Sequence, residues 1–316
     1  MLNELATQVR NGTIDPVDLV KESLRRIDAA HDLNAVVDIY ADEALAIAQT
    51  HSRQGALAGL PLLVKDMARV KGHVTTAGSL LYKDAAPDTD DDIAVARLRA
   101  EGAIIIGRTN SPEFGGTAFT SNKLFGATRN PWNTSQSPGG SSGGSSAALA
   151  AGLAPLATTS DGGGSVRGPA AATGLVGLKP TMGAVGRNFL PRWIEFSTQG
   201  PAASTVKDVE LLAGIMYGDA VGDFLAVSKA GINLAPRMPR TVLACRTFRT
   251  DVDPDIEAQY ENMLEALSTS GVTVKRIDSP SNNDTIWNWF IISTAELTQS
   301  LRHEEHRWDQ LTDYIQ

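Results

Sequence analysis

A single cysteine, Cys245, in 316 residues excludes an intramolecular disulfide framework and any zinc site built from cysteine alone. Set in the strand-like run TVLACRT, it reads as a small buried hydrophobe rather than a nucleophile. The N-terminal stretch MLNELATQVRNG has no apolar core of signal-peptide length, and the longest uncharged apolar stretch, Ala147–Ala157, is about half a membrane span. A cytoplasmic location without a membrane partner is the expectation. Positive charge is also short: 28 Lys and Arg against 36 Asp and Glu leave a net charge of −8, which argues against a nucleic-acid partner. Histidine is scarce, and His31, His51, His73, His303 and His306 form no metal-ligand motif. His303 and His306 stand three apart, not the four of a zinc-protease helix.

What is present is a chain of ordinary soluble composition, 42% hydrophobic and 20% charged, long enough for one large domain or two of usual size. Asp15 is a ready N-cap, Pro16 suits the first helical position, and Val17, Val20, Leu24 and Ile27 recur at helical spacing. A second helix is expected over Ala41–Ser52. The apolar run Leu60–Val64 reads as a buried strand that ends in the charged pair Lys65-Asp66. Ile93–Ala100 reads as a helix that returns through Gly102 into a strand, Ala103–Ile106. Thr205 and Asp208 form a capping-box-like pair ahead of the apolar face Val209, Leu212 and Met216. Thr241–Ala244, a helix Pro254–Ser268 behind the cap Asp253, and Val272–Val274 make a β-α-β unit. Helices alternating with short strands indicate an α/β fold, with a mixed, largely parallel central sheet covered by helices on both faces. No repeat or linker divides the chain, so one domain is expected over residues 1–316. The helix-like stretch Ala295–Gln316 stops without a cap, which leaves the fold expected to be incomplete at this end.

Two clusters of Ser and Gly, Ser137–Ser146 and Asp161–Gly168, are joined by a segment with no charge. A solvated linker has no use for that apolar join, so two loops brought together by a helix and a strand are expected. Gly139-Gly140-Ser141-Ser142-Gly143 matches the G-x-S-x-G nucleophile elbow. That motif needs a downstream acid and histidine, and the only later histidines, His303 and His306, lie on a polar stretch. Serine chemistry without histidine leaves lysine as the base. Lys65 is the candidate, because its side chain must leave a buried strand, and burial lowers a lysine pKa towards the range where a neutral amine can take a proton.

These pieces together resemble the amidase signature family, the Ser–cis-Ser–Lys amide hydrolases. The matching segments run in the family's order over about residues 60–200: Pro61–Asp66, Gly107–Phe114, Asn130–Trp132, Ser137–Ser145, Ser160–Arg167 and Gly174–Thr181. The resemblance implies Ser165 as nucleophile, Ser141 as a bridging serine preceded by a cis peptide bond, and Lys65 as base. It implies an oxyanion hole from the N–H groups of Gly162, Gly163, Gly164 and Ser165, with no metal or organic cofactor. Ser142 is expected to orient the Lys65 amine, and Asp161 and Arg167 to brace the nucleophile loop. Asn110, Glu113, Trp132 and Lys179 fit as structural or pocket-forming residues. The implied reaction is hydrolysis of a small-molecule carboxylic amide, and a homodimer stays open.

Two rivals remain. The same motifs occur in the glutamine-amidotransferase subunit that amidates mischarged tRNA. That group resembles Met-Asp-Glu where this chain has Ser111-Pro112-Glu113, and Tyr-Gly-Arg-Val-Ser-Arg where it has Met182–Arg187. Both departures favour a stand-alone amidase. The other rival is an inactive fragment, because family members generally continue beyond residue 316.

Overall fold

The computed structural model describes residues 1–189, 196–232, 239–245, 252–280 and 283–316. Residues 190–195 of the motif-bearing region, and Arg246 and Thr247 of the run TVLACRT, lie outside this set. By packing, the chain divides into two compact units: Met1–Ile232 with Leu301–Gln316, and Asn233–Ser300. The sequence reading expected no such division within residues 1–316.

The first unit opens with helix α1 (Leu2–Arg10) and helix α2 (Pro16–Ala29). Asp15 caps α2 as expected, its Oδ1 accepting from the Val17 N–H at 2.8 Å. Strand β1 (Val36–Ile39) leads to helix α3 (Ala41–Gln49), which stops three residues short of the expected Ser52. Strand β2 (Pro61–Lys65), helix α4 (Ile93–Ala100) and strand β3 (Ile104–Thr109) follow, then the short pair β4 (Ser121–Asn122) and β5 (Gly126–Ala127). Helix α5 (Gly143–Ala150), strand β6 (Leu156–Asp161), helix α6 (Arg167–Thr173), strands β7 (Val176–Gly177) and β8 (Thr198–Ala203), and helix α7 (Val206–Met216) complete the core.

Six strands form one sheet in the order β1-β3-β2-β6-β8-β7. Its centre, β3-β2-β6, is parallel, and β1, β8 and β7 pair antiparallel at the sides. The sheet is therefore mixed, with its parallel part confined to three strands. Every residue of β2 and β3 is buried, which is why these strands read as unbroken apolar runs rather than as alternation. Successive side chains nevertheless point to opposite faces. Leu62, Val64, Ile105, Leu156 and Ala203 join one core with residues of α1, α4 and α7, whereas Leu63, Ile104, Ile106, Ala157 and Ala202 join a second with residues of α2, α3 and α5.

At α7, Thr205 Oγ1 accepts from the Asp208 N–H at 3.1 Å and donates to Asp208 Oδ2 at 2.8 Å, so the pair closes on itself through side chains. The other carboxylate oxygen, Asp208 Oδ1, accepts from the Leu2 N–H at 2.8 Å and ties α7 to the start of α1. The second unit holds strand β9 (Thr241–Cys245), helix α8 (Pro254–Thr269) and strand β10 (Thr273–Ile277), the β-α-β arrangement expected, with β9 and β10 parallel. Helix α9 (Asn283–Leu301) follows. The expected helix over Ala295–Gln316 gives way after Leu301 to a 3₁₀ stretch, Arg302–Gln310. There Trp308 Nε1 donates to the Leu301 carbonyl at 3.2 Å, satisfying one of the acceptors a helix leaves at its end.

Among the described residues, no helix is long and apolar enough to cross a membrane.

Candidate active site

Parallel pairing of β2 with β6, Leu62 beside Leu156 and Leu63 beside Ala157, brings the C-terminal ends of both strands to one edge of the sheet. That edge is where open α/β sheets bind ligands. Lys65 ends β2, Asp161 ends β6, and the Ser165 loop runs from β6 into α6. The uncharged join between the two Ser/Gly clusters is α5 and β6, so both loops meet at this edge.

Lys65 is 1% exposed. Its backbone N–H donates to Thr158 Oγ1 on β6 at 2.8 Å. Its Nζ donates to Ser141 Oγ at 2.8 Å, Ser142 Oγ at 2.9 Å and Ser160 Oγ at 3.0 Å. Burial pushes the Lys65 pKa down to about 7, and the negative charge of Asp161 opposes that fall. Ser141 follows a cis peptide bond from Gly140, as the family resemblance implied. Ser142 stands at the N-cap of α5 but its side chain does not cap, because its Oγ is engaged with Lys65 and with the Ser160 carbonyl at 3.2 Å. The Ser142 N–H donates to the Ser165 carbonyl at 3.2 Å and so joins the two loops.

Ser160 carries no role in the sequence reading, although it stands beside Asp161 in a matching motif. Its contact with Lys65 depends on the register of β6 against β2, which no local pattern reveals.

Ser165 shares a cavity of about 230 Å³ with Lys65, Ser141, Ser160 and Gly162. There is no hydrogen bond between the Ser141 and Ser165 hydroxyls among the described residues. Asp161 is fully buried and organises the turn that carries Ser165. Its Oδ1 accepts from the Gly164 N–H at 2.7 Å and Arg167 Nη2 at 2.9 Å, and its Oδ2 from the Val166 N–H at 3.1 Å and Arg167 Nε at 2.9 Å. Burial works against the Asp161 charge, yet the Arg167 guanidinium and these N–H groups hold its carboxyl below the usual range. Asp161 and Arg167 thus hold each other by a two-point ion pair at the loop that carries Ser165.

One of the expected oxyanion donors is engaged within this turn. The Gly164 N–H points at Asp161 rather than into the cavity, because the turn is closed by that bond. Gly164 has φ +124°, a conformation that favours glycine. Gly162 lines the cavity.

Further from the chain of hydroxyls, Arg69, Asp88 and Asp92 line the cavity, with the Arg69 guanidinium 3.8 Å over the Phe189 ring. Burial raises the Asp92 pKa to about 6. Phe114 and Gly115 form another part of the wall, directly after the buried Glu113. Asn110 is tied to Thr128 and Asn122, Trp132 is 73% exposed with its Nε1 on the Thr173 carbonyl, and the Lys179 ammonium lies on the Pro180 carbonyl. None of these three lines the cavity. His303 and His306 are exposed and also stand apart from it.

A family model described as Amidase matches residues 18–315. A glutamyl-tRNA(Gln) amidotransferase subunit of Burkholderia pseudomallei is 35% identical over 95% of this chain and 65% of its own length. An acylamidase of Rhodococcus erythropolis is 33% identical over 99% of this chain and 69% of its own length. The chain thus spans about two thirds of the length of these relatives. Among solved structures, a bacterial aryl acylamidase of the amidase signature family superposes with a TM-score of 0.88 at 28% identity, over 99% of this chain and 70% of that one. A 6-aminohexanoate cyclic dimer hydrolase, solved with substrate, gives a TM-score of 0.89 at 28% identity, over 99% of this chain and 70% of that one. With the motifs in order and the sheet, loops and buried lysine arranged as described, this chain belongs to the amidase family, in its amidase signature form.

Proposed function

We propose that this chain carries the catalytic machinery of an amide hydrolase that works through an acyl-enzyme on Ser165. The observation that bears most weight is the Lys65 amine, excluded from water, held near neutral pKa and hydrogen-bonded to Ser141 at 2.8 Å. A lysine so placed acts as a base instead of a permanent cation.

In this reading, neutral Lys65 accepts the Ser141 hydroxyl proton while Ser141 Oγ accepts that of Ser165. The Ser165 oxygen attacks the amide carbon, and the carbonyl oxygen becomes an oxyanion. The Gly163 and Ser165 N–H groups are the donors assigned to that oxyanion, with Gly162 beside them at the cavity wall. One such donor is worth about 2.7–4 kcal/mol in the transition state. The C–N bond then breaks as the relay returns the proton to the leaving nitrogen. Water, deprotonated through the same relay, cleaves the ester to a carboxylate and frees Ser165. Binding of substrate is the step that brings the Ser141 and Ser165 hydroxyls into line, since catalytic hydrogen bonds often tighten only in the complex. Ser142 and Ser160 hold the amine on the Ser141 side.

The acylamidase relative and the solved hydrolases support amide hydrolysis. The amidotransferase relative supports a second reading, a glutaminase that feeds ammonia to a partner; the residues Ser111-Pro112-Glu113 and Met182–Arg187 favour the first. A fluorophosphonate probe followed by mass spectrometry tests the nucleophile: label on Ser165 is expected, and label elsewhere, or undiminished turnover in Ser165→Ala, would defeat it. Turnover of simple aliphatic or aryl amides by the purified chain separates the readings. Glutamine hydrolysis seen only with tRNA and added partner proteins would favour the second.

A further inference from the structure

The turn Glu113–Gly116 has two sides. On one, Phe114 and Gly115 line the catalytic cavity, and a Cβ built on Gly115 would come 3.2 Å from Ser141 Oγ. On the other lies the segment 311–316, which follows the 3₁₀ stretch and packs within the same unit. The Glu113 carboxylate, 1% exposed, accepts from Ser79 Oγ at 2.5 Å and from the Thr312 N–H at 2.6 Å. The Glu113 N–H donates to Tyr314 Oη at 2.9 Å, and that hydroxyl donates in turn to the Ser121 carbonyl at 2.7 Å. A Cβ on Gly116 would sit 2.6 Å from Ile315 Cδ1, so the segment is seated closely on the back of the turn.

A second path runs from Tyr314 to the relay. Its ring meets Phe119 edge-on, centroids 5.8 Å apart. The Thr117–Phe119 backbone is packed so tightly on Gly140 that a Cβ there would come 2.8 Å from Thr117 O and Phe119 N. Gly140 is the residue before Ser141. One tyrosine thus bears on both flanks of the relay serine: through Glu113 to Gly115, and through Phe119 to Gly140.

We propose that residues 311–316 act as a positioning strap, with Tyr314 as the residue that holds the Glu113–Ser121 loop against Gly140 and Ser141 and so sets the relay geometry. Tyr314 touches no reacting atom; it acts through the loop. A misplacement of about an ångström at a catalytic group can cost on the order of 100-fold in rate. This inference rests on the amide-hydrolase reading.

The test is Tyr314→Phe in the full chain, which keeps the ring and deletes both hydrogen bonds. Turnover number is expected to fall roughly 10- to 100-fold with KM little changed, and the acid limb of the pH–rate profile to shift, because the Ser141–Lys65 contact is altered. Ile315→Ala, which loosens the same seat, carries the test if Tyr314→Phe does not fold. Thr205→Ala, a lost helix cap remote from the cavity, supplies a variant of reduced stability and is expected to keep the wild-type kcat and profile. A wild-type kcat and pH profile in Tyr314→Phe would overturn the strap, as would an equal fall in Thr205→Ala at matched loss of Tm. Absence of amide turnover and of Ser165 labelling in the wild-type chain would count against the hydrolase reading itself, before any variant is compared.

Discussion

Lys65 shows what one residue's surroundings can do to its chemistry. At an ordinary lysine pKa of ~10.4, roughly one lysine in 2,500 is neutral at pH 7; with the pKa brought down to about 7, half are. Since the relay starts from the neutral amine, we predict that kcat/KM rises about tenfold per pH unit below 7 and levels off above it. A pH–rate profile that keeps climbing to pH 10 would refute this. Stability gives an independent readout. The unfolded chain holds this proton up to the ordinary value of 10.5, the folded chain only to about 7, so between those values the unfolded state binds more protons and stability rises with pH. In Lys65→Met that contribution is gone, so any advantage of the variant in Tm should shrink as pH goes from 7 to 10, checked by paired melts. Lys65 is legible in the sequence because a lysine directly after five apolar residues must leave a buried strand. Ser160 is not, since its hydroxyl reaches Lys65 only through a pairing of strands 95 residues apart in the chain. Nor is the direction of the Gly164 N–H, which is set by where the Asp161 carboxylate comes to rest.

At the scale of elements, α5 is held in place by what its first residues lack. A Cβ on Gly143 would stand 2.2 Å from Thr120 Oγ1, and one on Gly144 would stand 2.4 Å from the Asn110 carbonyl oxygen. Helix propensity alone favours alanine over glycine by about 1 kcal/mol. The backbone of Asn110 cannot yield as a side-chain end would, and overpacking of this kind costs about 1–3 kcal/mol. We therefore predict that Gly144→Ala lowers Tm and, because Ser142 is the N-cap of α5, lowers kcat as well; a melt at or above wild type would show that the neighbouring backbone gives way. The density of glycine in Ser137–Ser146 is visible in the sequence, and so is the join of helix and strand. The reason for each glycine is not, because Thr120 and Asn110 arrive from another part of the chain. The sheet shows the same limit. Apolar runs mark β2 and β3, whereas nothing marks the antiparallel β8: its residues, Thr198–Ala203, include Gly200 and Pro201 and carry no alternation. Gly200 is needed where it is, since a Cβ there would meet the Leu178 carbonyl oxygen at 2.3 Å.

Across the whole chain the two units differ in how much apolar surface each covers. In the first, both faces of the six-stranded sheet are packed, and β2 and β3 are buried along their length. In the second, Ala244, Leu264, Val272 and Leu297 are the buried hydrophobics among the described residues. Leu243 on β9, Ile277 on β10, Ile256 on α8 and Trp287, Phe290 and Ile291 on α9 are exposed, by 41% to 64%. A single pair of strands with little cover is marginally stable in water. The sequence can name the β-α-β unit from its cap and its periodicity, but periodicity records only that apolar residues share a face, not whether anything covers it. Opening free energies within one protein range from near zero to the global value, and fall where buried apolar contacts are few. We predict that amides of β9, β10 and α8 exchange at least about 100-fold faster than those of β2, β3 and β6, a difference of about 2.8 kcal/mol in opening free energy. Hydrogen exchange read by mass spectrometry on the intact chain measures this directly, peptide by peptide. Equal protection in the two sets would mean that the second unit opens only when the whole chain does, and the exposed side chains of α8 and α9 would then have to be covered in solution.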